Sequence, residues 1–363
     1  MRINLLYIVL LFFVLHSCNG GNNQLLTSEP APGCEYASFF GIKEDIDGVK
    51  ILINPFGRDA IDSTSGWLVL PADREYKRIV CMSTSHISYI EALGEAGRII
   101  GVSGAQYVSS EVIKKGLIEG SISDIGFEGS LNYELLMSLQ PDLVLTYGIE
   151  GENNQYIEKI KQFNIPVIAL GDYLENHPLG KLEYLKLFGQ LLNKRDLADS
   201  IYDSTKLKYL ELRELTKNSK KRNILINAPW KEVWYIPGKS SYMNIIIEDA
   251  GGSVLGSTEK SAYTKAFSIE EVFILSSDAD IWLNPNSIST MSELKSSNPL
   301  FTKIKPVVNY KVYNNTKLST PGGGSQFWEK GVIEPDIILM DLIKIIHPDL
   351  IQNHNLKYYF NLQ

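Results

Sequence analysis

Cysteine is scarce in this chain, three among 363 residues, too few for a fold held by several disulfides. Apart from the basic, polar stretch Asn218 to Arg222, basic residues gather nowhere along the chain, and the formal net charge is −7, so nucleic acid is not an expected partner. Beyond the first fifteen residues no stretch is apolar enough for long enough to cross a membrane. The five histidines show no metal-site spacing such as a pair at i and i+4, so no directly bound metal is expected. Cofactor fingerprints are missing too. Pro321-Gly322-Gly323-Gly324-Ser325 lacks the Gly-Lys-Ser/Thr ending of a phosphate loop, and Gly94, Gly97, Gly101 and Gly104 do not form Gly-x-Gly-x-x-Gly. Gly101-Val102-Ser103-Gly104 is one residue short of a nucleophile elbow. With no nucleophile–base pair either, neither an enzyme nor a resident cofactor is expected. What is present is 44% hydrophobic residues, enough to build one large or two medium lobes.

The N-terminus speaks to location. Arg2 is followed by an apolar run, Ile3 to Leu15, broken only by Asn4. It is short for a permanent span but suits the hydrophobic region of a secretory signal. The run ends in Leu15-His16-Ser17-Cys18, which resembles the bacterial lipobox, although His16 is an unusual occupant. That resemblance implies a signal over residues 1–17, lipidation of Cys18 and a periplasmic body anchored by lipid to a bacterial cell membrane. An uncleaved anchor or a buried first helix are the alternatives. Residues 18–34 are polar and rich in Gly and Pro and read as a tether. With Cys18 lipidated, Cys34 and Cys81 remain; a disulfide and a buried free thiol at Cys81 are equally compatible with the sequence.

Residues 35–74 carry two short apolar runs closed by Pro55 and Pro71 and read as a small β addition. From residue 75 the pattern becomes strand–loop–helix. Strands are expected at Arg78–Met82, Ile99–Ser103, Leu143–Tyr147 and Val167–Leu170, with a polar turn at Ser83–His86. Helices are expected at Ile87–Leu93, Leu131–Leu139 and over 155–163. This alternation predicts a parallel α/β lobe over 75–177 with its binding loops at the strands' C-terminal ends. Residues 178–218 are helical; Ala198, Tyr202, Thr205, Tyr209 and Leu212 form one face of a long helix. Alternation then resumes over 219–363, with strands at Ile224–Ile226, Asp280–Asn284 and Val307–Tyr313, and helices at Tyr242–Ala250, Ser268–Leu275 and Ile333–Ile346. The expected fold class is α/β, with two Rossmann-like lobes joined by one long helix.

Four segments carry a family resemblance over about residues 77–350. They are Arg78-Ile-Val-Cys-Met-Ser-Thr-Ser-His-Ile-Ser-Tyr-Ile-Glu-Ala-Leu-Gly94, Leu131-Asn-Tyr-Glu-Leu-Leu-Met-Ser-Leu-Gln-Pro-Asp-Leu-Val-Leu145, Phe267-Ser-Ile-Glu-Glu-Val-Phe273 and Pro335-Asp-Ile-Ile-Leu-Met-Asp341. In this order and spacing the chain resembles the helical-backbone (class III) substrate-binding proteins of ABC importers, which carry ferric siderophores, haem and cobalamin. The resemblance implies a monomer that holds a metal chelate between its lobes and delivers it to the permease's membrane subunits. It also implies one surface glutamate per lobe that pairs with arginines of those subunits. By segment match these are Glu134 and Glu270. Their other reading is that of a first-turn acid favoured by the helix dipole.

The loops at the strand ends supply candidate wall residues. In the first lobe these are Ser85, His86, Gln106, Tyr107, Tyr147 and Tyr173; in the second, Trp230, Trp234, Tyr235, Tyr263, Phe327 and Trp328. Tyr and Trp offer broad apolar contact and a polar handle at low entropic cost. The competing reading is that they are ordinary core. His86 or a tyrosine could be an axial haem ligand, or merely a hydrogen-bonding group. An enzyme with an interlobe site and a non-transport surface-binding lipoprotein remain the rival functions. Few arginines and many lysines favour a neutral or hydroxamate-type complex, or a corrinoid, over a highly anionic catecholate.

Overall fold

The computed structural model describes residues 29–46, 48–54, 68–71, 74–147, 155–257 and 261–363. The signal over 1–17, the lipidation site Cys18 and most of the tether lie outside the described residues.

An antiparallel sheet comes first: β1 (Phe40–Asp45), β2 (Gly48–Ile53) and β3 (Leu68–Pro71), in the order β1-β2-β3. The first lobe follows. Its strands are β4 (Ile79–Cys81), β5 (Ile99–Val102), β6 (Ser123–Asp124), β7 (Leu143–Tyr147) and β8 (Val167–Leu170). They pair in parallel in the order β6-β5-β4-β7-β8. Helices α1 (Thr84–Ala92), α2 (Glu111–Glu119), α3 (Tyr133–Ser138) and α4 (Gln155–Gln162) complete it. The strands β4, β5, β7 and β8 are short and largely apolar because helices cover both faces of a parallel sheet, whereas the edge strand β6 is polar. Helix α1 begins at Thr84, so Ser85 and His86 lie in its first turn and not in the polar turn expected there.

Two helices join the lobes. In α5 (Pro178–Leu192) every residue but Lys186 is buried, which makes it the central packing element. Asn193 closes it in a left-handed cap at φ 57°. Then α6 (Arg195–Thr216) runs for 22 residues, about 33 Å. Ala198, Tyr202 and Tyr209 are buried along one face, as the spacing predicts.

The second lobe contains β9 (Arg222–Ile226), β10 (Val233–Ile236), α7 (Tyr242–Asp249), β11 (Gly252–Val254), β12 (Lys265–Ser268), α8 (Ile269–Leu275) and β13 (Ile281–Leu283). It continues through α9 (Met291–Ser297), α10 (Lys305–Val308), β14 (Val312–Asn314), α11 (Gln326–Glu329), α12 (Pro335–Ile346) and β15 (Phe360–Asn361). Its sheet runs β11-β9-β13-β14-β15, with only the β15 edge antiparallel. Strands β10 and β12 pair separately as an antiparallel ribbon. The strand expected over Val307–Tyr313 is instead the helical turn α10 followed by the short β14. Pro306 lies in the first turn of α10, where a missing N–H costs nothing, and signals that turn.

The N-terminal segment is held by two buried carboxylates, Glu183 of α5 and Glu175 just before it. Glu183, fully buried, accepts hydrogen bonds from the backbone N–H groups of Glu35, Tyr36 and Ala37, each at 2.9 Å. Glu175 accepts from Ser38 and Phe39 at 2.8 and 3.0 Å. Tyr36 stacks on His177 at 4.5 Å, and Phe40 meets Tyr184 edge-on at 4.6 Å. The strap is therefore part of the folded body. Cys34 and Cys81 are both free; the Cys34 thiol donates to the Phe40 carbonyl at 3.4 Å, and Cys81 is buried in β4.

Burial pushes the Glu175 carboxyl up to about 7, in spite of its two N–H donors and nearby Lys181. A raised carboxyl favours the folded state while protonated, so this contribution is complete below pH 4.5 and fades as pH rises through about 7. Glu175→Gln should gain in melting temperature relative to the native chain over that window, with no gain below it. A melting-temperature difference that stays constant from pH 4 to 8 would contradict this titration.

Candidate functional site

In a doubly wound sheet, ligands bind outside the strands' C-terminal ends. In the first lobe those ends present the loops after β5 and β8. Tyr107 and Tyr173 are about half exposed, Gln106 is exposed, and Tyr147 meets Tyr173 edge-on at 6.3 Å. Beneath the Tyr173 loop lies a buried polar knot. The Asp172 carboxylate accepts from Ser85 Oγ at 2.6 Å and approaches His86 Nε2 at 3.3 Å, while Lys181 Nζ donates to the Asp172 carbonyl at 2.6 Å. Burial alone would raise the Asp172 pKa, but His86, Lys181 and Ser85 together outweigh it and hold the carboxyl down at about 2. Ser85 and His86 therefore do not line an open wall. They are core residues that anchor α1 to the loop carrying Tyr173, and His86 is wholly buried.

The second lobe's rim is organised by asparagines at the strand ends. Asn227, Asn284 and Asn286 adopt φ of 64°, 56° and 53°, a left-handed region that asparagine tolerates better than most residues. Trp282 Nε1 donates to the Asn227 carbonyl at 2.6 Å, Asn286 Nδ2 to the Ala228 carbonyl at 3.0 Å, and Asn314 Nδ2 to the carbonyls of Asn286 and Ile288 at 2.8 and 2.7 Å. This network holds the loops in place, and none of its asparagines is among the candidates named from sequence. The signal for it is an asparagine directly after each strand core: Ile226-Asn227, Leu283-Asn284 and Tyr313-Asn314.

On this rim the two tryptophans part company. Trp230 is 68% exposed; its backbone bridges to Val233 around Lys231, itself left-handed at φ 57°. Trp234 is fully buried, with rings at 5.4 Å from Trp282 and 5.8 Å from Phe301 and its indole N–H donating to the Ile226 carbonyl at 2.8 Å. Trp234 is therefore core, which corrects its assignment as a wall residue. Alternation along β10 turns Trp234 inward and Tyr235 outward. Tyr235 and Tyr263 are exposed.

The lobes also touch. Glu329 of α11 is buried, and its carboxylate accepts from the backbone N–H groups of Ser109 and Ser110 at 2.7 and 2.8 Å, where Ser110 caps α2. Beside it, Thr320 Oγ1 donates to the Gln106 carbonyl at 2.9 Å. A Cβ on Gly322 or Gly324 would lie 2.4 Å from the Gln106 carbonyl oxygen or 1.9 Å from that of Tyr107, so only glycine permits this approach. The glycine run thus seals one edge of the interlobe region. Phe327 is core against Tyr358 and Tyr359, whereas Trp328 is half exposed, 6.0 Å from Tyr242.

Glu134 and Glu270 follow β6 and β12 in the chain. Each is exposed in the first turn of a short helix, α3 capped by Asn132 and α8 capped by Ser268. An exposed apolar side chain follows one turn later on each helix, Met137 and Ile274. Glu271, by contrast, is engaged in a capping box with Ser268. Among the described residues no cluster of His, Cys, Asp and Glu could hold a metal ion.

Comparison with known proteins agrees with this architecture. An uncharacterized lipoprotein of Methanocaldococcus jannaschii is 27% identical over 292 residues, covering 78% of this chain and 68% of that protein. A structure from Staphylococcus epidermidis, described as a possible iron-binding periplasmic solute-binding protein, superposes with a TM-score of 0.59 at 21% identity, covering 76% of this chain and all of that one. A periplasmic heme binding protein from Pseudomonas aeruginosa does so with a TM-score of 0.59 at 16% identity, covering 79% of this chain and 98% of that one. At these identities the structural likenesses speak to the fold. The family model described as periplasmic binding protein matches residues 79–317, the span that holds most of both sheets and the two helices between them. The chain therefore belongs to the periplasmic binding protein family, in its helical-backbone form.

Proposed function

We propose that this protein is the substrate-binding component of an ABC importer for a metal chelate of the iron-siderophore, haem or cobalamin type, tethered to the membrane through Cys18. Residues 75–177 and 219–363 form the two walls, 178–218 link them, and 35–74 are an accessory segment. The observation that carries this reading is the set of large aromatic side chains left exposed at the strands' C-terminal ends in both lobes: Tyr107, Tyr173 and Trp230, with Trp328 near the seam. Flat, chelated ligands need such surfaces. Gln106, Tyr147, Tyr235 and Tyr263 complete the candidate walls. In this reading the chain is a binder and carries out no reaction. Titration of the purified protein with haem, cobalamin and several ferric siderophores tests it; saturable binding of one is expected, and failure of all of them would refute it.

Docking provides a second test. Glu134 and Glu270 are assigned to pair with basic residues of the permease. Glu134→Ala with Glu270→Ala should leave chelate affinity unchanged and sharply reduce uptake and stimulation of the transporter's ATPase, because truncating one partner of a charge pair buried in an interface costs about 2–5 kcal/mol. Glu271→Ala is the control, expected to loosen α8 through its capping box with little effect on uptake. Normal uptake by the double variant, or an equal defect from Glu271→Ala, would remove the assignment.

A further inference from the structure

The second lobe has another concave site at the opposite end of its sheet. A cleft of about 390 Å³ lies at the N-terminal ends of β9, β13 and β14, below the last turn of α12. Its volume falls within the range of small-molecule sites. The apolar part of its lining comes from Ile281, Tyr313, Ile345 and Ile346, with Pro348 and Leu350 at the edge. Lys220, Arg222, Lys311 and Lys344 surround this floor. Lys220, Arg222 and Lys311 make no side-chain hydrogen bond or ion pair among the described residues, and Lys344 donates one, to the Gln352 carbonyl at 3.1 Å. Two acids also line the cleft, Asp280 and Asp349. Asp280 is already engaged: it accepts from the Asn223 N–H at 3.1 Å, pairs with Lys305 at 3.1 Å and also feels the charge of Arg222. The lining thus has four cations and one uncommitted carboxylate, on a chain whose net charge is −7.

We propose that this cleft is a second binding site, separate from the interlobe region, for a small organic phosphate with an apolar body. Arg222 offers a planar fork of donors suited to a phosphate, and Lys220, Lys311 and Lys344 supply point charges around it. The floor of Ile281, Tyr313, Ile345 and Ile346 would take up the apolar part. Such a head group can come from a soluble phosphate monoester or from an anionic lipid, and the test separates the two.

Phenyl phosphate and inorganic phosphate are titrated into the purified full chain by calorimetry, at low and high salt. Phenyl phosphate should bind saturably and more tightly than inorganic phosphate, and weaken as salt rises. Arg222→Gln with Lys311→Gln should weaken it by about tenfold or more, and the single variant Lys220→Gln by less. Lys114→Gln, whose lysine pairs with Glu111 in the first lobe, should change nothing. A source in lipid predicts that phosphatidylglycerol vesicles retain the protein more than phosphatidylcholine vesicles do, and that the double variant loses the difference. A soluble source predicts no such difference. The basic residues would serve only the carbonyl ends of α6 and α12 if the variants lowered the melting temperature while phenyl phosphate bound unchanged. That result, or no saturable binding by the native chain together with no preference for phosphatidylglycerol, overturns the proposal.

Discussion

Trp234→Ala should lower the free energy of unfolding by about 3–5 kcal/mol, the usual cost of emptying a buried aromatic site. The indole fills the space between Trp282 and Phe301, and its N–H satisfies the Ile226 carbonyl, so the alanine leaves both a cavity and an unpaired acceptor. Trp230→Ala should alter stability by no more than about 0.5 kcal/mol, because its ring is exposed. If Trp230 belongs to the chelate wall, its loss appears in affinity alone. Urea unfolding of both variants, paired with chelate titration, separates the two effects. Equal destabilisation by the two substitutions would show that the ribbon of β10 and β12 does not seat Trp234 between Trp282 and Phe301 while leaving Trp230 outside.

The second large effect is expected at Glu183. Glu183→Ala removes the acceptor for three backbone N–H groups at once. Each buried donor left unpaired costs about 1–3 kcal/mol, but the strap can lift off and find water, so the sum is capped. A loss of about 3–5 kcal/mol is expected, comparable to breaking a buried charge interaction. Glu183→Gln keeps one oxygen acceptor and should lie between. Limited proteolysis adds a local readout: cleavage in the strap should accelerate well before the lobes unfold. Unchanged protection of residues 35–39 in the alanine variant would mean that packing by Tyr36 and Phe40, and not the carboxylate, holds the strap.

The parts of the fold governed by local pattern are legible in the sequence. Parallel strands such as β4 and β7 announce themselves as short apolar runs before a helix, and the face of Ala198, Tyr202 and Tyr209 marks α6. Features made by distant partners are not legible. Nothing near Glu183 in the chain indicates that it will bind the amides of residues 35–37, almost 150 positions away. Within the candidate site the aromatic composition of the loops can be read, but not which rings turn inward. Trp234 is misplaced by sequence because the pairing of β10 with β12 has no local signature; once it forms, the alternation Val233-Trp234-Tyr235-Ile236 decides which side chain is buried. His86 is misplaced because α1 begins before its apolar run, at Thr84, which carries the imidazole beneath Asp172.

The seam at Glu329 sets a mechanical threshold. Separating the lobes at that edge breaks two hydrogen bonds to a carboxylate and strips the glycine run from the backbone at Gln106 and Tyr107. At about 1.5–3 kcal/mol for each bond to a charged group, spontaneous parting along that edge is rarer by roughly two to four powers of ten than it would be without them. In a carrier whose cargo lies between the lobes, dwell time is then governed partly by a contact that never touches the cargo. Unloading becomes a task for whatever can pull on both lobes at once, and a mutation at Glu329 would make the carrier leaky without changing the fit of its pocket.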